Sequence, residues 1–384
     1  MNLKELTVER IRIFRVQIPF SVPVSHNLAE RNKSLGFIVE ITDSKGHRGV
    51  GEGTPRDYVT GESPKASEDA AADLVCGLKG QVIRGRDELF QFLRETGNTR
   101  LACEYPSAFC AFELALLDLY SRRIGVPIWK LFRHAPACDT IRYSAVLPLF
   151  DSAQRANFLN LVKKIGISQV KAKVLERAQA IELAREIFRV LGQETDLRFD
   201  ANAAFSPTEA LEIIEGLEKE GLHLSAFEQP VSKDDIKALA KIESVSSVPV
   251  IADESACTSQ DVRTIIDERV CSGISIRLSK CGGMMKSIQL AEMASKAGLF
   301  CQLGCHVGET SILSAAGRHL ACICGPFKYA EGSYSRFILE RDVTETPCDF
   351  GQGGIAPILS EPGLGIEISD SALEAGSEKI AEFS

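Results

Sequence analysis

Five short apolar runs in the middle of the chain each carry a charged side chain near their C-terminal end. The charged residues are, in chain order, Lys171, Asp200, Glu228, Asp253 and Lys280, and successive ones are 25 to 29 residues apart. This spacing is the length of one strand, one helix and their two loops. Because the carboxyl ends of the strands in a parallel βα barrel form one ring, the pattern predicts that these side chains surround a single barrel mouth, where such barrels hold their active sites.

The segments on either side of these runs predict a second domain. Residues 1–135 carry strand patterns first, at Val8–Ile18 and Leu35–Thr42, and helical patterns afterwards, which is typical of an α+β unit. The strand–helix alternation occupies 136–350, but a Gly- and Pro-rich stretch replaces the helix after the eighth strand. Residues 351–384 are expected to return to the first domain. The predicted fold is therefore α/β: a (β/α)7β barrel, a modified TIM barrel, with an α+β capping domain built from the N-terminal part and the C-terminal tail.

Two loops of the first domain are candidates to cover the barrel mouth. One is the Pro-containing segment Phe20–Asn27, which includes His26, and the other is Gly53–Glu62, which includes Tyr58 and Thr60. Both are rich in turn-forming residues. A plain surface position would also explain them. If they instead close the mouth from water, His26, Tyr58 and Thr60 become candidate substrate-binding residues.

Composition narrows the class of partner. The net charge of −8 disfavours nucleic acid and anionic membranes, and the sequence contains no apolar run of 18 residues. The N-terminus lacks the pattern of a secretory signal. The twelve cysteines lack the spacings of zinc or redox pairs, so most of them are interpreted as small buried apolar residues. We therefore expect a cytoplasmic protein that acts on a small molecule.

Three of the five charged residues are acids on neighbouring strand ends. Asp200, Glu228 and Asp253 offer only oxygen ligands, with no His or Cys in the set, so the sequence favours Mg²⁺, or Mn²⁺, over Zn²⁺. Each acid adjoins apolar residues, and a bound cation would relieve the repulsion between three semi-buried carboxylates. The alternative is three unrelated acids at strand ends.

The lysines predict acid–base chemistry. Lys171 and Lys173 are two apart on one strand and share a face, so their mutual repulsion is expected to lower the pKa of at least one of them towards neutrality. Lys280 is predicted to rise from the sixth strand, across the barrel from the second. A proton taken from one face of a substrate would then be returned to the other face, with the metal stabilising an enediolate.

Taken together, Lys-x-Lys at 171–173, Asp-x-Asn at 200–202, Glu-Gln-Pro at 228–230, Asp-Glu-Ser at 253–255 and Lys-Cys-Gly-Gly at 280–283 resemble the enolase superfamily. The likeness covers nearly the whole chain and is greatest to the muconate lactonizing enzyme branch. The mandelate racemase branch has an Asp on the sixth strand, where this chain carries Lys280. The resemblance implies one essential Mg²⁺.

By position, the resemblance also implies a role for each motif residue. Asp200, Glu228 and Asp253 are the expected metal ligands, and Lys173 and Lys280 are the expected acid–base pair. Three further residues have supporting roles: Lys171 would tune Lys173, and Asn202 and Glu254 would support the metal shell or the neighbouring lysine.

Substrate specificity is expected to depend on residues outside the regularly spaced motifs. Thr60-Gly61-Glu62 resembles the dipeptide epimerases, but those enzymes carry Asp-x-Asp after the eighth strand to hold an ammonium group. This chain has Glu331 and Ser333 there. Cys305 and His306 follow the seventh strand. His306, where relatives more often have an apolar residue, is either a substrate-binding or proton-carrying residue or a histidine bonded within the barrel wall.

These observations lead to one preferred function and two alternatives. The preferred function is a Mg²⁺-dependent isomerase that removes the α-proton of a carboxylate, as a racemase or epimerase of an amino-acid derivative or dipeptide, or as a cycloisomerase. A lyase using the same enediolate, similar to o-succinylbenzoate synthase or the acid-sugar dehydratases, is the first alternative. A barrel that binds without catalysis is the second. Barrels of this kind are expected to be homo-oligomers.

Overall fold

The N-terminal part of the chain forms an antiparallel sheet with helices packed on it. The computed structural model describes residues 5–26 and 29–384, with the side chains of 22–31 outside the description. The elements of this part are β1 (Leu6–Val16), β2 (Pro19–His26), β3 (Ala29–Lys33), β4 (Gly36–Asp43), β5 (Arg48–Gly53), α1 (Asp57–Thr60), α2 (Pro64–Cys76), β6 (Val82–Ile83), α3 (Arg86–Gly97), α4 (Arg100–Glu104) and α5 (Pro106–Ile124). A 3₁₀ turn, Ile128–Leu131, leads out of the domain.

The barrel follows, and then the C-terminal tail. Its elements are β7 (Thr140–Arg142), β8 (Ala145–Leu147), α6 (Ser152–Ile165), β9 (Gln169–Lys173), α7 (Arg177–Leu191), β10 (Asp196–Asp200), α8 (Pro207–Lys219), β11 (Ala226–Glu228), α9 (Ile236–Val245), β12 (Val250–Ala252), α10 (Ser259–Asp267), β13 (Gly273–Ile276), α11 (Leu278–Cys281), α12 (Met284–Lys296), β14 (Phe300–Leu303), α13 (Ser311–Cys324), β15 (Tyr329–Ala330), α14 (Ser335–Ile338), β16 (Ile355–Pro357), α15 (Asp370–Gly376) and β17 (Ser377–Phe383).

Eight parallel strands, β8 to β15 in chain order, form the barrel sheet. The sheet closes where Tyr143 bridges Ala330 in parallel and the N–H of Ser144 donates to the carbonyl of Ala330 at 2.8 Å. The four-residue α14 directly follows β15, so among the described residues a full eighth barrel helix is absent from its expected place. The predicted (β/α)7β architecture is confirmed. No helix in the described ranges is long and apolar enough to cross a membrane.

The capping sheet is ordered β17-β1-β4-β5, so the C-terminal tail joins the N-terminal domain as predicted. Two glycines of β5 allow the buried helix α5 to lie directly on this sheet. A Cβ atom at Gly51 would lie 2.0 Å from the carbonyl oxygen of Ala111, and one at Gly49 would lie 2.3 Å from that of Ala115. Such contacts exclude any larger residue, so the alternating glycines fix how closely the helix and the sheet approach.

Three local expectations differ from the structure. The segment predicted as the loop Phe20–Asn27 lies mostly in β2, which pairs antiparallel with β3. The run Thr140–Leu149, whose composition is typical of one strand, is divided into β7 and β8, and only β8 belongs to the barrel sheet. The predicted division at residue 350 falls before β16, which pairs with β7 beside the barrel before the chain returns to the capping sheet.

Two buried carboxylates of the capping domain bind helix N-termini of the barrel. Glu52 of β5 accepts the backbone N–H groups of Thr310 and Leu313, at the start of α13. Glu113 of α5 accepts the N–H groups of Met284 and Met285, at the start of α12. Carboxylates are favoured at these positions because the first N–H groups of a helix have no partner within it. These bonds hold the capping domain over the barrel.

Candidate active site

The three predicted acids lie side by side at the carboxyl ends of β10, β11 and β12. Asp200 and Glu228 end their strands and are paired in register, and Asp253 directly follows β12. All three are fully buried. The adjacent Gln229, with a φ of 37°, supports this arrangement because its side-chain oxygen accepts the N–H of Asp253 at 3.0 Å. A non-glycine residue with a positive φ has a strained backbone, and such strain is common where a site must be held in a fixed geometry.

Lys171 joins two of these acids to the eighth strand. Its Nζ lies 2.9 Å from Glu228 Oε2, 3.3 Å from Asp200 Oδ2 and 2.7 Å from Glu331 Oε2. Glu331 also accepts from Arg198 at 3.1 Å. The carboxylate of Glu331 is therefore already neutralised by two buried cations.

Lys173 lies closer to the opening of the site. Its Nζ donates to Asp200 Oδ2 and to Asn202 Oδ1, both at 2.6 Å. Asn202 in turn donates to Glu254 Oε1 at 3.0 Å. Asn202 thus links the Lys173 amine to Glu254, the acid that follows Asp253. The supporting roles expected for Asn202 and Glu254 stay predictions.

Lys280 departs from its expected position. The sixth strand ends at Ile276, and Lys280 lies in the helical turn α11 that follows. Its Nζ donates to the carbonyl oxygens of Asp253 and Ser275, both at 2.7 Å, and to Asp253 Oδ1 at 3.0 Å. It is fully buried and does not line the cavity at the barrel mouth, whereas Lys171 and Lys173 do. The amine instead points into the barrel wall.

The carboxylates determine how the buried lysine titrates. Burial lowers the pKa of Lys171, but Glu228, Glu331 and Asp200 outweigh burial and raise it well above its ordinary value. The lowering expected for at least one of the two lysines is therefore not found at Lys171. For Asp200, burial raises the pKa, but Lys173 and Lys171 together bring it well below its usual range. Cations thus keep this acid ionised inside the barrel.

The donor set fits a hard divalent cation. Oε1 of Glu228 and Oε2 of Glu254 are buried with no hydrogen-bond donor among the described residues. The guanidinium of Arg277 contacts Asp253 and lies 3.8 Å from Glu228 Oε1, so positive charge is accommodated between these two acids. Within the described ranges no three acidic, His or Cys side chains are arranged as a ready ligand cluster, and the acids face lysine and arginine instead. All the available ligands are oxygens, which Mg²⁺ prefers.

Three residues that contact the buried acids were missed by the sequence reasoning. Arg277 bridges Asp253 and Glu228, Arg198 binds Glu331, and Gln302 donates to Glu228 Oε2 at 2.9 Å. Arg198 lies two residues before Asp200 on the same strand, so the two-residue period of a strand places both on one face and offered a signal. Gln302 had no comparable signal.

The remaining candidates divide between the cavity and its surroundings. Tyr58, Cys305 and His306 line the cavity, as does Glu331. His306 is buried, and its Nδ1 lies 2.8 Å from the hydroxyl of Thr54 in the capping domain.

Two of the candidates are turned away from the cavity, and one is not described. The hydroxyl of Thr60 donates to Glu62 at 2.6 Å, and that of Ser333 accepts from Arg318 at 3.3 Å. Neither residue lines the cavity. The side chain of His26 lies outside the described residues.

Two family models match the chain. Residues 9–132 match the mandelate racemase/muconate lactonizing enzyme N-terminal domain, and residues 153–372 match the enolase C-terminal domain-like model. The second match covers more than half of the chain.

Relatives of the same length are racemases and epimerases. The chain is 29% identical to the L-Ala-D/L-Glu epimerase of Clostridium acetobutylicum, over 94% of this chain and 99% of that one. It is 27% identical to the N-succinyl-L-Arg/Lys racemase of Bacillus cereus, over 96% and 97% of the two chains. These relatives confirm the expected isomerase class.

Solved structures agree with this assignment. The crystal structure of the N-succinyl Arg/Lys racemase from Bacillus cereus superposes with a TM-score of 0.88 at 25% identity, covering 98% of this chain and 99% of that one. A substrate-liganded L-Ala-D/L-Glu epimerase from Bacillus subtilis gives 0.85 at 27% identity, covering 94% and 99%. The chain therefore belongs to the enolase superfamily, in the group of mandelate racemase and muconate lactonizing enzyme.

Proposed function

We propose that this enzyme is a Mg²⁺-dependent racemase or epimerase of an amino-acid derivative, an N-acyl amino acid or a dipeptide, with a free carboxylate next to the reacting carbon. The observation that carries the proposal is the position of Lys173, whose Nζ is 2.6 Å from Asp200 and which lines the same cavity as Arg277. An amine beside a group of buried carboxylates suits removal of an α-proton next to a metal-bound acid.

Asp200, Glu228 and Asp253 would hold Mg²⁺, or Mn²⁺ in its place. The ion would supply electrostatic stabilisation of the negative charge that develops on the substrate carboxylate. A dipeptide epimerase from Cytophaga hutchinsonii, 24% identical to this chain, has been crystallised with Mg and a dipeptide. Burial raises the pKa of Asp200, but Lys173 and Lys171 lower it by more and keep this acid ionised for the role.

The lysines would move the proton. Lys173 takes the α-proton on the face of the substrate that lies towards β9, and Lys280 returns a proton on the opposite face. Lys280 does not line the cavity in this structure, so for this step its Nζ has to leave the carbonyl oxygens of Asp253 and Ser275 and the Asp253 carboxylate and turn towards the substrate. Lys171 remains charged, because Glu228 and Glu331 lie within hydrogen-bond distance of its amine.

Incubation of candidate substrates in D₂O with Mg²⁺ tests the proposal. We expect deuterium to replace the α-hydrogen and both stereoisomers to accumulate for at least one N-acyl amino acid or dipeptide, followed by NMR and chiral chromatography. Formation of an alkene with loss of a leaving group would identify a lyase instead. Absence of exchange across the whole panel would contradict the proposal.

The cellular setting is part of the same proposal. All twelve cysteines are free thiols, which suits a reducing compartment such as the cytoplasm. A homo-oligomer is expected, and sedimentation analysis measures its size.

A further inference from the structure

The cavity at the barrel mouth continues into an apolar compartment. The whole space measures about 410 Å³. One end contains Lys171, Lys173 and Arg277, and the other end lies along helix α6. A volume of this size is within the usual range for small-molecule sites.

The first wall of the apolar compartment is the inner side of α6 and the loop before it. Phe150 and Phe158 pack edge to face, with ring centroids 6.1 Å apart. Leu161, Val162 and Ile165 extend this wall along the helix. Phe158 is half-buried and Leu161 is exposed. The helix that follows β15, α14, is only one turn long.

The second wall comes from the segment that replaces a full eighth barrel helix. Phe337 lies with its ring 5.6 Å from that of Phe350, and Tyr334 meets Phe350 edge to face at 6.1 Å. The aromatic rings thus line the compartment from two sides. The gap left by the absent helix is lined by apolar side chains and connected to the lysines.

The acids that line the cavity offer little to a positively charged group. Glu331 is paired with Lys171 at 2.7 Å and with Arg198 at 3.1 Å. Glu309 accepts the N–H of His306 at 3.1 Å. Burial, with Glu52 close by, raises the pKa of Glu309 to about 8, so this acid is mostly neutral at pH 7. A substrate ammonium would therefore lose its hydration without gaining an unpaired carboxylate.

We propose that the compartment between Phe158 and Phe337 binds a large, uncharged, apolar group of the substrate, so that the enzyme prefers carboxylates with a long acyl chain or an apolar side chain over compounds with a free ammonium group. This inference rests on the proposed function, and it names the substrate class of the same site. The polar end holds the carboxylate and the reacting carbon, while removal of the apolar group from water supplies binding energy.

Binding of N-acylglycines in the presence of Mg²⁺ tests this directly. N-hexanoylglycine should bind at least tenfold more tightly than N-acetylglycine by calorimetry, because each added CH₂ contributes up to roughly fourfold. N-acetyl-norleucine and N-acetyl-alanine are the equivalent pair of compounds for comparing affinities for a long and a short side chain. Equal affinity within both pairs would overturn the proposal.

Truncation of the two walls locates the effect. Phe158→Ala and Phe337→Ala should each remove most of the gain from chain length, measured in each variant as the ratio of the affinities for N-hexanoylglycine and N-acetylglycine. Phe132→Ala is the matched control, since Phe132 is also half-buried and stacks on Phe90 at 4.9 Å but does not line the cavity. Retention of the full gain in both wall variants, with melting temperatures no lower than that of the control, would contradict the assigned location.

A pair of compounds of equal length tests the exclusion of positive charge. L-alanylglycine differs from N-propanoylglycine chiefly by its ammonium group, and we expect it to bind at least tenfold more weakly at pH 7. Tighter binding of the dipeptide would overturn the proposed exclusion of a free ammonium group. If affinity follows chain length but no compound exchanges its α-hydrogen, the proposed function fails while the compartment assignment stands. If the α-hydrogen exchanges but affinity does not depend on chain length, the compartment assignment fails while the proposed function stands.

Discussion

Two sets of buried acids in this protein have opposite surroundings. At the barrel mouth, Asp200 and Glu228 lie within 3.3 Å of the Lys171 amine. Between the domains, Glu52 and Glu113 are equally buried, but their hydrogen bonds come from backbone N–H groups at helix starts and from the Thr310 hydroxyl.

The pKa of Asp200 is therefore shifted in the opposite direction from the pKa values of the two interface acids. Burial raises the pKa of Glu52 and of Glu113 to about 7, in spite of their hydrogen bonds. Burial acts on Asp200 as well, but Lys173 and Lys171 reverse its effect. Burial alone thus favours the neutral acid, and neighbouring cations are needed where an acid has to stay charged. The molecule separates acids suited to holding a metal from acids suited to joining domains.

The largest expected effect is the loss of proton exchange when Lys173 is replaced by Ala. Exchange should fall by about 10³-fold, within the range that general bases contribute, while Mg²⁺ binding persists because the three acids remain. Rates in D₂O and calorimetric Mg²⁺ titration measure the two quantities. Lys219→Ala, at an exposed lysine on α8, is the control. Exchange that survives in Lys173→Ala would refute the role of this amine.

Neutral replacements in each set should separate their functions. Glu228→Gln removes one proposed ligand and should weaken Mg²⁺ binding at least tenfold, because an amide oxygen carries no charge. Glu113→Gln keeps an acceptor for the helix start and should leave Mg²⁺ affinity unchanged. Equal Mg²⁺ affinity in the two variants would remove the distinction between the sets.

The interface acids predict a particular pH dependence of stability. Their folded pKa of about 7 lies above the ordinary value of 4.5, so the folded state binds more protons between these pH values. The stabilisation from Glu52 and Glu113 is complete below about pH 4.5 and is lost as the pH rises through 7. The free energy of unfolding should therefore fall between pH 5 and 8, by on the order of 1 kcal/mol or more per acid.

Comparison with neutral variants isolates this effect. Denaturant unfolding of Glu52→Gln and Glu113→Gln should give a smaller decrease over the same interval, since glutamine does not titrate. A decrease as steep as that of the unchanged protein would show that other groups cause it.

The smallest effect is expected at the contact between Thr54 of the capping domain and His306 of the barrel. Thr54→Val removes the hydroxyl that lies 2.8 Å from His306 Nδ1 and should lower the free energy of unfolding by about 1 kcal/mol. If His306 also positions substrate, KM should rise a few-fold with little change in kcat. His306→Asn tests the residue itself, and unchanged kinetics would make it a structural residue of the barrel wall.

The ring of charges was predictable because strand and helix lengths repeat, so Asp200, Glu228 and Asp253 reach the same end of the sheet. The position of Lys280 was not, because Ile276 and Leu278 have the composition of a strand while the chain turns into α11 after Ile276.

The partners of the acids were also hidden from the sequence. In the sequence, nothing distinguishes Arg277 from another arginine at a strand end. Only the fold shows that it lies between Asp253 and Glu228. In the same way, Glu52 is recognisable between two glycines, but its partners at α13 are more than 250 residues away.

A crystal structure of the protein with Mg²⁺ and an N-acyl amino acid tests the central claim most directly. We predict one ion bound by oxygens of Asp200, Glu228 and Asp253, with the amines of Lys173 and Lys280 on opposite faces of the α-carbon. For this arrangement Arg277 has to leave the space between Asp253 and Glu228. An ion bound elsewhere, or a Lys280 amine still bonded to Ser275 and remote from the substrate, would contradict the account.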